Sequence, residues 1–283
     1  MKHVITALKA FIVGGTMLVP GVSGGSMAMI LGVYDDLISS VSSFFKNKKR
    51  NALFLGLFVV FALLGIVLCA SPLESLTDKF PKMILFFFIG AIAGGAPMMV
   101  RKAKIQKLDW RVLVYPLIGC LGVFLISLIP EGLFNTTGTG FFHSLMLLVA
   151  GLIVAIALIL PGISTSHMLL TLGLYESILK TIKSHDIGAI LSLWPLILGL
   201  LIGIAACTRL LENLLNDHPT ITYLIVFGFL IGSVVDVFPG LPIGWEIPIC
   251  LVLFAAGFAA IFFMTKLEEK KELADATSPK DAA

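Results

Sequence analysis

Two segments of the chain share a pattern of residues suited to binding an anion. The first reads Pro-Gly-Val-Ser-Gly-Gly-Ser over 20–26, and the second reads Pro-Gly-Ile-Ser-Thr-Ser-His over 161–167. Proline cannot continue an incoming helix and glycine permits a tight turn, so each Pro-Gly pair predicts the tip of a helical hairpin. Ser23 and Ser164 then stand where the N-cap of an outgoing helix is expected. A helix N-terminus presents free N–H groups and the positive end of the helix dipole, and both attract anions.

The two tips together would suit a phosphate group, because they offer backbone N–H groups and small hydroxyl side chains without a bulky wall. His167 could donate to the phosphate or carry a proton, and Arg209 could neutralise the phosphate or pair with Glu212. Simpler roles stay open: close helix packing for the glycines, capping alone for the serines, a structural position for His167 and a snorkelling charge for Arg209. The candidate phosphate-binding residues are Ser23, Gly24, Gly25, Ser26, Ser164, Thr165, Ser166, His167 and Arg209.

The composition excludes the common soluble classes of protein. The chain has 283 residues, of which 58% are hydrophobic and 13% are charged, and its mean hydropathy is +1.03. A soluble domain carries roughly twice that share of charge. Charges cluster at 46–50, 101–111 and 266–283, which leaves long uncharged stretches between them. A soluble globular domain, a disordered chain and a secreted disulfide scaffold are excluded, and an integral membrane protein that is all or nearly all α-helical is indicated.

The lengths of the apolar segments predict the elements that carry the two tips. A hydrocarbon core of about 30 Å requires roughly 20 apolar residues in a helix. The segments 4–44 and 143–182 are broken at their Pro-Gly pairs, so they predict helical hairpins that either re-enter the membrane or cross it fully. Six further segments predict transmembrane helices, at about 52–70, 83–100, 112–129, 189–207, 222–238 and 247–265.

A second block of matching residues indicates that the hairpins belong to an internal repeat. Leu73, Glu74, Leu76, Pro81, Gly90 and Gly94 match, in order, Leu211, Glu212, Leu214, Pro219, Gly228 and Gly232. We predict a first copy at 1–130, a second at 131–265 and a cytosolic tail at 266–283. Each copy holds one hairpin and three spans, and because three is odd the second copy must be inverted. Inverted repeats with broken helices are the architecture of secondary transporters, whose sites lie where the copies meet.

The distribution of basic residues predicts the orientation. All but four of the 20 lysines and arginines fall in segments that this arrangement places on one side of the membrane. By the positive-inside rule that side is cytoplasmic, and both termini lie there. The exceptions are Lys79, Lys82, Lys180 and Lys183.

Four carboxylates in or beside the apolar segments are candidates for coupling or ion pairing, because ionisable groups at membrane depth are costly and usually functional. Glu74 and Glu212 are repeat-related, and we expect at least one of them to act through proton exchange or through a pair with Arg209. Asp35 and Glu176 also match between the copies, although ordinary interfacial charges would explain them equally well.

Motifs of hydrolytic enzymes are incomplete or missing. Ser166 and His167, which follow a Pro-Gly pair, resemble the histidine motif of membrane lipid phosphatases, but the Lys…Arg-Pro and Ser-Arg…His…Asp elements of those enzymes are absent. The sequence also lacks an HExxH zinc motif and a P-loop. We therefore expect no catalytic residue, no metal and no cofactor.

The extended tips, PGVSGGSMAMILGVYDDLI and PGISTSHMLLTLGLYESIL, resemble the paired signatures of the bacterial undecaprenyl-phosphate translocases. The resemblance covers nearly the whole chain apart from the tail. It implies a flippase of the bacterial cytoplasmic membrane that returns undecaprenyl phosphate, the C55 lipid carrier of cell-wall synthesis, from the outer to the inner leaflet by alternating access. The implied partners are the polyprenyl-phosphate lipid and the membrane, without nucleic acid, and a homo-oligomer stays open.

The competing interpretation is a small-anion channel or transporter that uses the same helix N-termini. A lipid carrier needs a lateral groove that reaches the bilayer, whereas the pathway of an ion can be fully enclosed. A lateral opening is therefore the feature that distinguishes the two interpretations.

Overall fold

The described part of the chain in a computed structural model is mostly α-helix and contains no strand, which confirms the all-α class. The described residues are 2–17, 19, 22–105, 109–130, 132, 140–184, 187–236 and 238–277. Pro20 and Gly21 of the first predicted tip lie outside the described residues, whereas Pro161 and Gly162 of the second tip lie within them.

The first half begins with a broken helix and continues with three longer helices. A 3₁₀ turn at Phe44–Asn47 joins the two parts. Pro81 starts the second of the longer helices, a position where the missing N–H of proline costs nothing. The helices are α1 (Lys2–Thr16), α2 (Gly24–Ile30), α3 (Tyr34–Ser42), α4 (Lys48–Lys79), α5 (Pro81–Lys102) and α6 (Arg111–Ser127).

The second half follows the same order of elements, with a short helix in place of the 3₁₀ turn. Gly32 and Gly173 directly follow the first short helix of each half and have φ values of +71° and +72°. This left-handed conformation suits glycine and forms the C-terminal turn of the helix. The helices are α7 (Phe141–Ile159), α8 (Thr165–Thr171), α9 (Tyr175–Ser184), α10 (Ile187–Ser192), α11 (Trp194–Asp217), α12 (Pro219–Asp236) and α13 (Glu246–Thr277).

Among the described residues, five helices are long and apolar enough to cross a membrane. They are Phe44–Lys79, which includes the 3₁₀ turn, Pro81–Lys102, Phe141–Ile159, Trp194–Asp217 and Glu246–Leu267. The segments predicted at 112–129 and 222–238 form shorter apolar helices, Arg111–Ser127 and Pro219–Val235.

The segment predicted as one span at 189–207 is divided between two helices. Residues up to Ser192 belong to α10, and α11 begins only at Trp194. Pro195 occupies the first turn of α11, where its fixed φ favours a helix start rather than a helix interior. The crossing helix of this region therefore starts later than predicted and extends to Asp217.

Four pairs of long helices make the main packing contacts: α1 with α4, α7 with α11, α5 with α13, and α6 with α12. Each pair is close because glycines face backbone on the partner helix. A Cβ atom at Gly90 would overlap the carbonyl oxygen of Phe254, and one at Gly228 would overlap that of Pro116. The last two pairs join one helix of each half, so the halves are interlocked.

The short helix α2 lies at the centre of the larger hydrophobic core. Its residues from Ser26 to Ile30 are buried, and Met29, Ile30 and Leu31 have no exposed surface. A seven-residue helix has little stability of its own, so these contacts hold the first tip in place.

Candidate functional site

Each predicted tip has a serine N-cap. Ser23 has an extended backbone, and its Oγ accepts the N–H of Ser26 at 3.0 Å. Ser164 has the same conformation, and its Oγ accepts the N–H of His167 at 3.4 Å. The two caps predicted from the sequence are therefore confirmed, and they fix where the first turns of α2 and α8 begin.

The two tips are in direct contact. The backbone N–H of Gly162 donates to Ser26 Oγ at 2.8 Å and to Ser23 Oγ at 3.2 Å, while the two serine oxygens are 2.7 Å apart. Gly162 has a φ of +89°, and a Cβ there would overlap the carbonyl oxygen of Phe229. Only glycine fits this position, so the Pro-Gly pair of the second tip is required for the contact with the serines of the first.

A buried tyrosine makes a second connection between the halves. Tyr34, at the start of α3, donates its hydroxyl to the carbonyl oxygen of Ile159 at 2.7 Å. Ile159 ends α7, so this carbonyl has no partner within its own helix. The Tyr34 hydroxyl therefore provides a hydrogen-bond donor for one of the free carbonyl groups at the end of α7, the helix that leads into the second tip.

A cavity of about 770 Å³ lies beside the joined tips and is lined by both of them. Of the candidate phosphate ligands, only Ser26 and Arg209 are not part of the lining: Ser26 is buried behind it and Arg209 is exposed elsewhere. The tip residues in the lining are Ser23, Gly24, Gly25, Ser164, Thr165, Ser166 and His167.

The lining is polar at the tips, and the described residues that form it include no Asp, Glu, Lys or Arg. The serine caps use the N–H groups of Ser26 and His167. The preceding first-turn N–H groups, those of Gly24 and Gly25 on α2 and of Thr165 and Ser166 on α8, have no carbonyl partner within their own helices and remain available for an acceptor. Among the described residues, no group of three or more His, Cys, Asp and Glu could hold a metal ion. The site thus offers neutral donors in place of fixed charges.

His167 adds one ring nitrogen to this set. Its Nε2 atom is buried and has no hydrogen-bond partner within the described part of the chain. A buried polar atom without a partner is costly, and a ligand that bonds to it would remove that cost.

The cavity also reaches the outer apolar surface of the protein. Val59 on α4 and Leu158 on α7 both belong to the lining, and they are 53% and 38% exposed. Met17, which follows α1, is likewise both exposed and part of the lining. The cavity therefore opens beside exposed apolar side chains.

Glu212 connects the two halves away from the cavity. Its carboxylate accepts the hydroxyl of Ser42 at 2.5 Å and that of Ser43 at 3.2 Å. Arg209 is exposed one turn earlier on α11, and the bonds to Glu212 come from the serines that end α3. Glu74, the repeat-related carboxylate, is exposed on α4.

Asp35 makes a further contact between the halves. Its Oδ2 atom accepts Lys102 Nζ at 2.5 Å and the Tyr223 hydroxyl at 2.7 Å. Lys102 ends α5 in the first half, and Tyr223 lies in α12 of the second. Glu176, the residue equivalent to Asp35, is exposed, so the two positions differ in their surroundings.

Several residues of these contacts were not among the sequence candidates. Tyr34 was visible only as an identical match with Tyr175 in the repeat, and Lys102 stood within a basic cluster that topology alone explains. Tyr223 and Ser42 lie in apolar or serine-rich runs, and no local pattern marks them.

Comparison with known proteins agrees with the sequence signatures. A protein of Vibrio cholerae serotype O1 (strain ATCC 39315 / El Tor Inaba N16961) named polyprenyl-phosphate transporter is 28% identical over 253 residues, which cover 84% of this chain and 79% of the relative. A protein of the same name from Staphylococcus aureus (strain NCTC 8325 / PS 47) is 29% identical over 284 residues, covering 95% and 98%. No solved structure matches the chain. Residues 13–246 match the family model described as "VCA0040-like: Undecaprenyl phosphate translocase-like", and the chain belongs to this family.

Proposed function

We propose that this protein transports a polyprenyl phosphate, and that it returns undecaprenyl phosphate from the outer to the inner leaflet of the bacterial cytoplasmic membrane. The observation that carries the proposal is the cavity, which joins two polar tips to a lateral apolar opening. The names of the two relatives support the same class of substrate. On this reading the protein moves its substrate without changing it chemically and serves cell-wall synthesis.

The polar tips would lower the energetic cost of moving a phosphate through a bilayer. A bare phosphate cannot enter hydrocarbon, because an unpaired buried charge costs far more than binding returns. Backbone N–H groups beside Gly24 and Thr165, with the hydroxyls of Ser23 and Ser164, would replace the lost water. No Lys or Arg is among the described lining residues, and we infer that this permits release, since fixed opposite charges would hold the phosphate too tightly.

The second candidate function is transport of a small anion through the same tips. The exposed lining residues Val59 and Leu158 favour a lipid, because a pathway for a small ion needs no opening toward apolar surface. Transport of a small anion also does not explain why much of the cavity lining is apolar.

The arrangement of helices supports an inverted repeat that works by alternating access. The two halves have the same order of elements, and glycines that match in sequence, such as Gly90 and Gly228, make the same kind of close contact. We propose that the Pro-Gly tips are re-entrant, that both termini are cytoplasmic, and that movement of one half against the other exposes the tips to each leaflet in turn.

The test is transport of labelled undecaprenyl phosphate in proteoliposomes that contain the purified protein. Ser23→Ala and Ser164→Ala each remove a hydrogen-bond donor to the phosphate, and we expect lipid affinity to fall about tenfold, as for a bond to a charged group. Ser71→Ala, at an exposed position on α4 outside the cavity lining, is the control and should behave like the parent. Parent-like lipid transport by both tip variants would contradict the site, and chloride or phosphate flux without lipid transport would favour the small-anion alternative.

A further inference from the structure

The cavity has an apolar part that the tips and their phosphate chemistry do not explain. Part of its wall consists of aliphatic and aromatic side chains from three helices. They are Leu37, Ile38 and Val41 on α3, Phe58 and Val59 on α4, and Ile204 on α11. We call this part the apolar arm.

A hydroxyl beside the apolar arm, that of Thr208, is already bonded within its own helix. Thr208, one turn after Ile204 on α11, donates its Oγ1 to the Ile204 carbonyl oxygen at 2.7 Å. This bond occupies the hydroxyl proton, so the wall presents methyl and ring surface to whatever fills it. A water molecule would find few hydrogen-bond partners at this wall, whereas a hydrocarbon chain needs none and packs well against apolar side chains.

The apolar arm ends at the exposed surface of α4. Val59 and Val60 are 53% and 54% exposed, and Leu63 and Val67 continue the same apolar helix face. Residues at this spacing lie on one side of a helix, and in a membrane protein that side contacts lipid tails. Val59 is the member of this face that also lines the cavity, so it marks the mouth of the arm.

The size of the cavity limits how much of a lipid it can hold. Cavities of roughly 300–1,000 Å³ enclose ligands of drug size. At about 770 Å³, this cavity has room for a phosphate and a short length of chain, and the remainder of a long polyprenyl chain must leave through the mouth.

We propose that the apolar arm binds the isoprene units next to the phosphate, and that Val59 marks where the chain passes into the bilayer. This inference rests on the proposed function, because the occupant of the arm is the chain whose phosphate lies at the tips. The arm and the tips then recognise two parts of one ligand: the tips bind the headgroup and the arm selects for a hydrocarbon chain attached to it. A headgroup without a chain fills only the polar end and binds more weakly.

The experiment compares tryptophan substitutions at neighbouring positions of α4. Val59→Trp fills the mouth of the arm, whereas Val60→Trp adds the same bulk at an equally exposed position outside the lining. Affinity of the purified full-length protein is measured for undecaprenyl phosphate and for inorganic phosphate. We expect Val59→Trp to weaken binding of the lipid by about tenfold, with inorganic phosphate unchanged, and Val60→Trp to match the parent.

A second variant protects the result against misfolding. Phe58→Leu shortens one wall residue without adding bulk, and we expect a smaller loss of lipid affinity, about threefold, again without an effect on inorganic phosphate. The proposal that the arm binds the chain is overturned if both Val59→Trp and Phe58→Leu bind the lipid as tightly as the parent. It is also overturned if Val59→Trp and Val60→Trp lose lipid affinity equally. If Ser23→Ala still weakens lipid binding in that case, the proposed function stands without the arm. A parent protein that binds no undecaprenyl phosphate overturns both.

Discussion

Tyr34 and Tyr175 occupy matching positions in the two halves but have different surroundings. The hydroxyl of Tyr34 is buried and donates to Ile159, whereas Tyr175 is 39% exposed. We expect Tyr34→Phe to lower the free energy of unfolding by about 1–2 kcal/mol, because the buried carbonyl of Ile159 loses its donor. Tyr175→Phe should leave stability unchanged. Denaturant unfolding in detergent micelles measures both, and equal effects at the two positions would contradict the assigned role of Tyr34.

The repeat-related glutamates give a second comparison at the scale of residues. Glu212 accepts two serine hydroxyls from the other half, whereas Glu74 is exposed. A glutamine at 212 keeps an oxygen acceptor but removes the charge and the ability to exchange a proton. We expect Glu212→Gln to reduce transport of undecaprenyl phosphate and to flatten its dependence on pH, with Glu74→Gln affecting it less. The coupling role is refuted if both variants show the rate and pH profile of the parent.

The residues that could be predicted are those whose role depends on local sequence. The caps at Ser23 and Ser164 follow from a serine placed after a Pro-Gly pair, so spacing alone predicts them. The bond from Tyr34 to Ile159 joins residues more than a hundred positions apart, and no spacing rule links them. The same is true of Asp35 and Tyr223, whose hydrogen bond joins α3 of the first half to α12 of the second.

At the scale of elements, the close helix pairs depend on glycine. A valine at Gly257 would place its side chain against the carbonyl oxygen of Phe87 on α5. We expect Gly257→Val to separate α13 from α5 and to destabilise the protein by about 1–3 kcal/mol or more, as overpacking does. Gly56→Val is the matched control, because a Cβ at Gly56 on α4 meets nothing within 4 Å. Thermal unfolding in detergent compares them, and similar melting temperatures would show that the close contact is unimportant.

The sequence predicts the helices better than it predicts their partners. Apolar length locates the crossing segments, and the Pro-Gly pairs locate the breaks, because both signals are local. Neither signal predicts that α5 packs against α13, the last helix of the chain that the structure describes. The start of α11 was also misplaced, since the apolar run continues across Leu193 while the helix is interrupted there.

At the scale of the whole molecule, the cavity is not symmetric between the halves. Leu37 on α3 lines it. The matching Ile178 on α9 instead packs against a smaller hydrophobic core formed by residues of α7 and α8 with Leu172 and Leu174. Asp35 is bonded to Lys102 and Tyr223, while the matching Glu176 is exposed. If the halves exchange conformations during transport, Leu37 becomes packed, Ile178 lines the cavity, and Asp35 is released.

This exchange predicts the effect of weakening the Asp35 contacts. Asp35→Asn removes the ion pair with Lys102, so the exchanged conformation should become more populated. In a background with the four native cysteines replaced, Ile178→Cys should then react faster with a water-soluble maleimide and Leu37→Cys more slowly. Asp36→Asn, at the exposed neighbouring position, is the control. Labelling rates that both rise, or that do not change, would exclude the exchange.

The packing of α5 from the first half against α13 from the second also affects how the protein is assembled during synthesis. The chain is synthesised from its N-terminus, and α5 is complete at Lys102, whereas its partner α13 begins at Glu246. During this interval α5 lacks the helix that Gly90 and Gly94 face, and the first half cannot reach its final packing. Packing of α5 against α13 is therefore a late event that waits for the last helix to enter the membrane. A nascent chain arrested before residue 246 remains open to proteases and quality control, even though its first tip is already synthesised.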